Sequence, residues 1–172
     1  MTAMAFDLNW LHPDVHARPA GGKGMGSYAV RPIAAGTTVA AFGGSVITRD
    51  QLDLVSEDRR SRSIQIDEHL YLVSAEHPEP GDMVNHSCDP SCGLMGSNLV
   101  VAMRDLEAGE EITFDYAMCD GSDYDEFICG CESEHCRGLI TGADWLKPEL
   151  QQRYDGWFSA YLARRIAAFV QA

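Results

Sequence analysis

The sequence predicts a mainly β domain with short helices and a helical C-terminal tail. Two observations carry this. Six short runs rich in β-branched and aromatic residues (38–42, 45–48, 63–66, 70–73, 99–103 and 111–114) are mostly separated by turn residues. From Pro148 onward, apolar residues recur at intervals of mostly three and four.

Taken in order, residues 1–20 read as an irregular arm containing Pro13 and Pro19. Next comes Gly21-Gly22-Lys23-Gly24-Met25-Gly26-Ser27-Tyr28-Ala29. Its Gly-x-Gly-x-x-Ala spacing matches a dinucleotide fingerprint, which needs a strand before it and a helix after it. No apolar strand precedes it, and Pro32 cuts off a helix three residues after Ala29, so that reading is rejected. Thr48-Arg49-Asp50-Gln51 is a capping box that opens a short helix through about Val55. Residues 58–62 read as a charged loop. Residues 31–39 parallel 104–112, each placing Ala-Gly shortly before a β-branched residue, which predicts two turns feeding strands. One such parallel is too little for a repeat architecture. In the tail, Leu150, Tyr154, Trp157, Phe158, Tyr161, Leu162, Ile166, Phe169 and Val170 form one apolar stripe. Pro148 suits a first helical position, and Gly156 can divide the stripe into two helices. The stripe predicts a helix docked on its own domain, with a homodimer seam as the alternative.

At 172 residues the chain is long enough for one domain with a real core. No apolar run approaches the length of a membrane span. Residues 1–10 carry no basic residue ahead of their apolar ones, unlike a secretory signal. These features predict an intracellular protein, cytoplasmic or nuclear, that does not engage a membrane. The net charge of −13 disfavours direct nucleic-acid binding and suits a basic protein partner. Six cysteines in a reducing compartment favour metal over disulfides. Cys129 and Cys131, one residue apart, are also poorly placed to bridge to each other.

Three stretches are shaped for chemistry. Asn85-His86-Ser87-Cys88-Asp89-Pro90 crowds polar residues into a turn. Gly109-Glu110-Glu111-Ile112-Thr113-Phe114-Asp115-Tyr116 runs from a glycine turn into a short strand ending on tyrosine. Cys129-Gly130-Cys131 and Cys136 supply three thiols within eight residues. In this order, across roughly residues 23–138, the motifs resemble those of the SET-domain protein lysine methyltransferases.

That resemblance implies small β-sheets around a knot-like crossing of the first two motifs. It implies an N-terminal arm (1–20), a SET domain (21–120), a post-SET zinc segment (121–140) and a C-terminal helical tail (141–172). The activity implied is S-adenosylmethionine-dependent methylation of a lysine in a basic protein, histone-like or otherwise lysine-rich. By the same resemblance Tyr116 is the catalytic tyrosine. Phe114 is an aromatic switch that, as phenylalanine, favours di- or trimethyl product; two residues before Tyr116 on a strand, it would face the same channel. Cofactor contacts fall on Lys23, Gly24, Met25, Gly26, Asn85, His86 and Tyr116. The Gly-x-Gly lets the backbone lie close to the cofactor, and His86 serves chiefly through its backbone. Cys88 joins Cys129, Cys131 and Cys136 as the fourth zinc ligand, with His135 a rival ligand and Cys92 a rival for Cys88. Cys92 and Cys119 otherwise read as buried thiols. Asp120, Asp123, Asp125, Glu126, Glu132 and Glu134 form either a solvated loop or an acidic rim for a basic peptide.

Departures bear on substrate and activity. The family's usual Tyr-x-Gly-Glu is Phe42-Gly43-Gly44-Ser45 here, Ser91 stands where Asn is common, and no cysteine precedes Lys23. The alternative is therefore a SET-like module, catalytically weak or inactive, that grips a basic partner.

Overall fold

Strand pairing begins close to the N-terminus. The computed structural model describes residues 7–170, so residues 1–6 of the expected arm, and the side chain of Val170, lie outside the described residues. The rest of the arm is not irregular. It forms β1 (Trp10–Leu11) and β2 (Val15–Pro19), and β2 pairs along its whole length with β3 (Met25–Ala29), Val15 opposite Ala29 and Pro19 opposite Met25. Pro19 lacks an N–H but is tolerated because β2 is the outermost strand of its sheet.

The six predicted β runs are all strands: β4 (Thr38–Ala41), β5 (Ser45–Thr48), β6 (Ser63–Asp67), β7 (Leu70–Val73), and, after β8 (Asn85–His86) and β9 (Cys92–Met95), β10 (Leu99–Ala102) and β11 (Glu111–Phe114). A two-residue hairpin of β12 (Phe127–Ile128) and β13 (Leu139–Ile140) follows. The principal sheet runs β1-β4-β10-β9-β11-β3-β2, with β8 also on β11, and a second sheet runs β5-β7-β6. The architecture is mainly β with short helices, as expected.

The capping box opens α1 (Arg49–Leu52), where the Thr48 N–H donates to Gln51 Oε1 at 2.9 Å. The expected charged loop is largely a helical turn, α2 (Glu57–Arg60), because Ser56 Oγ accepts the Arg59 N–H at 3.4 Å and caps it. The paralleled turns place Gly36 and Gly109 at φ +80° and +96°, and Ile33 bridges Leu106 between the two copies.

The tail divides at Gly156 (φ +82°) into α3 (Pro148–Arg153) and α4 (Ala160–Val170). Its stripe docks on its own domain: Leu150, Tyr154, Phe158, Tyr161 and Leu162 are buried in the main core. Trp157 takes the place a Cβ on Gly93 would occupy, 2.6 Å from its ring, and the Trp157 carbonyl accepts the Leu94 N–H at 3.1 Å. The tail thus backs β9 and the turn after β11. Among the described residues, no helix is long and apolar enough to cross a membrane.

Candidate functional site: two cavities meeting at a tyrosine

The two motifs the sequence singles out are neighbours in the sheet. β8 runs parallel to β11, with Asn85 opposite Thr113 and His86 opposite Phe114. On the other side β3 runs antiparallel to β11 and brings in the glycine turn. Asn85 Nδ2 donates to Glu111 Oε1 and to the Met25 carbonyl, both at 2.9 Å, and Lys23 Nζ pairs with the Glu111 carboxylate. A Cβ on Gly26 would lie 2.7 Å from Glu111 Oε1 and 2.9 Å from Asn85 Nδ2, so a larger residue here would displace the Asn85–Glu111 hydrogen bond. Beside it opens a cleft of about 710 Å³. Lys23, Asn85, His86 and Tyr116 line it, together with Phe127 and residues 128–132; Gly24, Met25 and Gly26 lie next to its wall rather than on it.

Tyr116 is not on the strand, as its motif suggested. β11 ends at Phe114, and Asp115 caps a 3-10 turn, Tyr116–Met118, by accepting the Ala117 N–H at 3.0 Å. The turn still brings Tyr116 beside Phe114, ring centroids 5.0 Å apart, and both line a narrow inner cavity of about 40 Å³. Phe42, 5.9 Å from Phe114, helps wall that cavity. Tyr116, Ser61 and Asp125 border both cavities. The Tyr116 hydroxyl donates to the Val84 carbonyl at 3.2 Å. Burial first, then the nearby Asp125 and Asp120 carboxylates, hold the phenol well above its ordinary range, so it stays protonated.

The cysteines assemble as expected. The Sγ atoms of Cys88, Cys129, Cys131 and Cys136 all lie within 4.8 Å of one another. Tetrahedral zinc with bonds of about 2.3 Å separates sulfurs by about 3.8 Å, and Cys88 and Cys129 are already 4.0 Å apart. This is a donor set that fits a thiophilic cation. The rivals His135 and Cys92 are outside the group, Cys92 being buried on β9 beside Ser91. Cys119 is likewise a buried thiol.

The polar network around this centre was not readable from sequence. Arg137, directly after Cys136, donates to both oxygens of the fully buried Asp115 at 2.6 and 2.8 Å and to Asp144 at 2.9 Å. Tyr154, directly after α3, donates to Asp115 Oδ2 at 3.0 Å. Nothing in the local spacing signals a pair 22 residues apart. The His86 ring is also buried, which lowers its pKa to about 4 despite Asp115 nearby. The imidazole is neutral.

The acidic run is not uniformly a rim. Asp123, Glu126, Glu132 and Glu134 are exposed, and Asp123 pairs with Arg49 at 3.1 Å. Asp120 is instead buried, its Oδ1 accepting the Tyr124 hydroxyl at 2.6 Å and the Cys119 thiol at 3.1 Å. Burial raises its pKa from 3.8 to about 7 against those hydrogen bonds. The folded state therefore holds this proton more tightly than the unfolded chain. Stability is full below about pH 4 and falls as pH rises towards 7. Asp120→Asn keeps the accepting oxygen and cannot ionise. It is expected to remove this loss, gaining roughly 1–4 kcal/mol over the parent at pH 8 and little at pH 4, as read by urea unfolding across pH. Equal pH dependence in both proteins would refute the assignment.

Comparison with known proteins follows the same residues. The SET domain family model matches residues 24–117. The chain is 28% identical over 132 residues to histone-lysine N-methyltransferase ash1 of Drosophila melanogaster, covering 70% of this chain and 6% of that protein. It is 30% identical over 130 residues to the H3 lysine-4 specific histone-lysine N-methyltransferase of Yarrowia lipolytica, covering 67% and 11%. With the probable histone-lysine N-methyltransferase set-23 of Caenorhabditis elegans it shares 29% over 141 residues, covering 69% and 56%. The chain thus spans from a small fraction to about half of the length of these relatives.

Proposed function

Because this chain belongs to the SET-domain family, we propose that it methylates a lysine side chain in a basic protein, with S-adenosylmethionine as methyl donor. The observation that carries the reading is the position of Tyr116, on the common wall of a wide outer cleft and a narrow inner cavity where Phe42, Phe114 and Tyr124 stand beside Asp120 and Asp125. A donor and an acceptor entering from opposite sides would meet at its hydroxyl. The names of the relatives above, all histone-lysine methyltransferases, support the substrate class.

S-adenosylmethionine would supply an electrophilic methyl group on a sulfonium. The residues that would hold it are Lys23, Asn85, His86 and the Gly24-Met25-Gly26 backbone, where the missing Cβ of Gly26 keeps the cradle between Asn85 and Glu111 open. The acceptor amine must be neutral, although a free lysine titrates near 10.4. Desolvation between Phe42, Phe114 and Tyr116 favours the uncharged form, against the opposing pull of the Asp125 carboxylate on the same cavity wall. Tyr116 spends its proton on the Val84 carbonyl and keeps its oxygen lone pairs free to accept an amine N–H. With its phenol held protonated it orients the nucleophile and does not act as a base. Cys88, Cys129, Cys131 and Cys136 would hold one zinc ion in a structural role. The Phe42 departure costs the family's hydroxyl but leaves an aromatic wall in place, which favours enzyme over inactive module.

Incubation with isotopically labelled cofactor and a panel of basic proteins, read by mass spectrometry, tests the reading. Label on lysine is expected. No label, together with no cofactor binding by calorimetry, would leave the binding-module alternative.

Phe114 bears on how many methyl groups are added. Its ring is buried in the inner cavity, 5.0 Å from Tyr116. A tyrosine there would bring a hydroxyl able to hold a water, which each added methyl group must displace at a cost. Di- or trimethyl-lysine is therefore expected from the parent, and Phe114→Tyr should shift product towards monomethyl-lysine while the first transfer keeps nearly its original rate. Mass spectra with only monomethyl product from the parent would reduce Phe114 to packing.

A further inference from the structure

We propose that His86 is a positioning residue that joins the cysteine centre to Tyr116, so that the sulfur cluster sets where the tyrosine stands. This rests on the reading above, in which the cysteines hold a metal ion and Tyr116 touches substrate. The two ring nitrogens of His86 make separate contacts. Nδ1 lies 3.2 Å from the backbone nitrogen of Tyr116 and accepts its N–H. Nε2 lies 3.3 Å from Cys88 Sγ. One neutral tautomer satisfies both: Nδ1 bare, Nε2 protonated and donating to sulfur. The ring also meets the Tyr116 ring edge-on, with centroids 5.2 Å apart.

Geometry favours a linking role over simple filling of space. The residue sits on β8, its backbone fixed opposite Phe114 by parallel pairing, so the ring has little freedom to drift. A second link runs from the same centre: the Arg137 N–H donates to Cys88 Sγ at 3.4 Å, while its guanidinium grips Asp115, which caps the Tyr116 turn. That path ends one residue short of the tyrosine. The His86 imidazole bonds both a cluster sulfur and Tyr116 itself. An N–H donated to a metal-bound thiolate withdraws charge from sulfur and orients it, the usual effect of groups behind a metal's own ligands.

A packing histidine would need neither nitrogen, and that difference can be measured without any methyl transfer. His86→Asn retains an acceptor near Nδ1 and loses the donor to Cys88; His86→Gln retains a donor near Nε2 and loses the acceptor. In cobalt-substituted protein, Asn should shift the thiolate-to-cobalt charge-transfer band while Gln keeps it. In zinc-loaded protein, Gln should speed amide exchange at Tyr116 about tenfold, read by NMR, while Asn keeps it slow. Both should lower kcat more than the KM for cofactor. Parent-like band and exchange in both variants, or equal change of both readouts in both, would overturn the proposal. Should either variant fail to fold, the unmutated protein supplies the test. Replacing zinc by cadmium, whose bonds to sulfur are longer, should shift the Tyr116 amide resonance, and an unmoved resonance would overturn the link. A parent that fails to methylate anything while these couplings hold would count against the catalytic reading and not against the link.

Discussion

Tyr116→Phe is expected to lower kcat by about a hundredfold or more while leaving fold and cofactor affinity near those of the parent. The substitution removes one oxygen. The ring keeps its neighbours, with centroids of Phe114 at 5.0 Å, His86 at 5.2 Å and Phe127 at 5.8 Å. The hydrogen bond to the Val84 carbonyl is lost, at a cost of about 1 kcal/mol. Catalysis loses more, because the amine is left without the acceptor that aims its lone pair, and a misplacement of about 1 Å can cost about a hundredfold in rate. Single-turnover kinetics on saturated enzyme isolates this step, and calorimetry with the cofactor checks binding separately. Turnover at the parent rate would remove Tyr116 from the chemistry.

What the sequence made legible were features whose cause is local. Strands at 45–48, 70–73 and 111–114 match their predicted limits because β-branched and aromatic residues run between turn residues. Gly36 and Gly109 were readable as turns because only glycine takes their positive φ easily. The tail was readable because one stripe of large apolar residues needs one surface to cover it, and Gly156 breaks it where expected. The four cysteines were assigned by resemblance, and their approach in space agrees. Features made by distant partners escaped. Val15-His16-Ala17-Arg18-Pro19 offers only a short alternation of Val15 and Ala17 closed by a proline, too weak to read as a strand, and its pairing with Met25–Ala29 makes it one. Asn9, buried, donates to Ser74 and Asp82 and accepts the Gly43 N–H, and a Cβ on Gly43 would fall 1.9 Å from the Leu8 carbonyl. Here lies a physical reason for the glycine in Phe42-Gly43-Gly44. Tyr116 was placed on a strand because the period-two rule knows nothing of the Asp115 cap. Asp120 was read with its neighbours as solvated loop or acidic rim because a carboxylate is ordinarily solvated, and only its contacts with Tyr124 and Cys119 reveal the burial.

Stripping metal from the cysteine centre is expected to release residues 121–140 and abolish activity, with the main sheet intact. The segment has little core of its own. Ile128 and Leu139 are 78% and 51% exposed, and the β12–β13 hairpin pairs only two residues on each side. Ordering a residue's backbone costs about 1–2 kcal/mol, so a dozen residues need an anchor stronger than one buried isoleucine. Structural zinc in small peptides contributes on the order of 10–16 kcal/mol, which is the right size. Without a cation the buried Cys88 thiol is pushed up to about 11, chiefly by burial, and four neighbouring sulfurs have no charge to gather around. A cofactor held in the outer cleft would then lose a wall, since Phe127, Ile128 and residues 129–132 border that cleft. Its affinity should fall at least tenfold. The purified protein should carry about one equivalent of zinc, lost on chelation or in Cys131→Ser. Far-UV circular dichroism should change little, because the principal sheet and α4 are built elsewhere. Limited proteolysis should gain a cleavage site between 121 and 140, and cofactor titration should report the lost wall. A metal-free protein that resists cleavage there and methylates at the parent rate would show that Arg137, gripping Asp115 and Asp144, holds the segment without the metal.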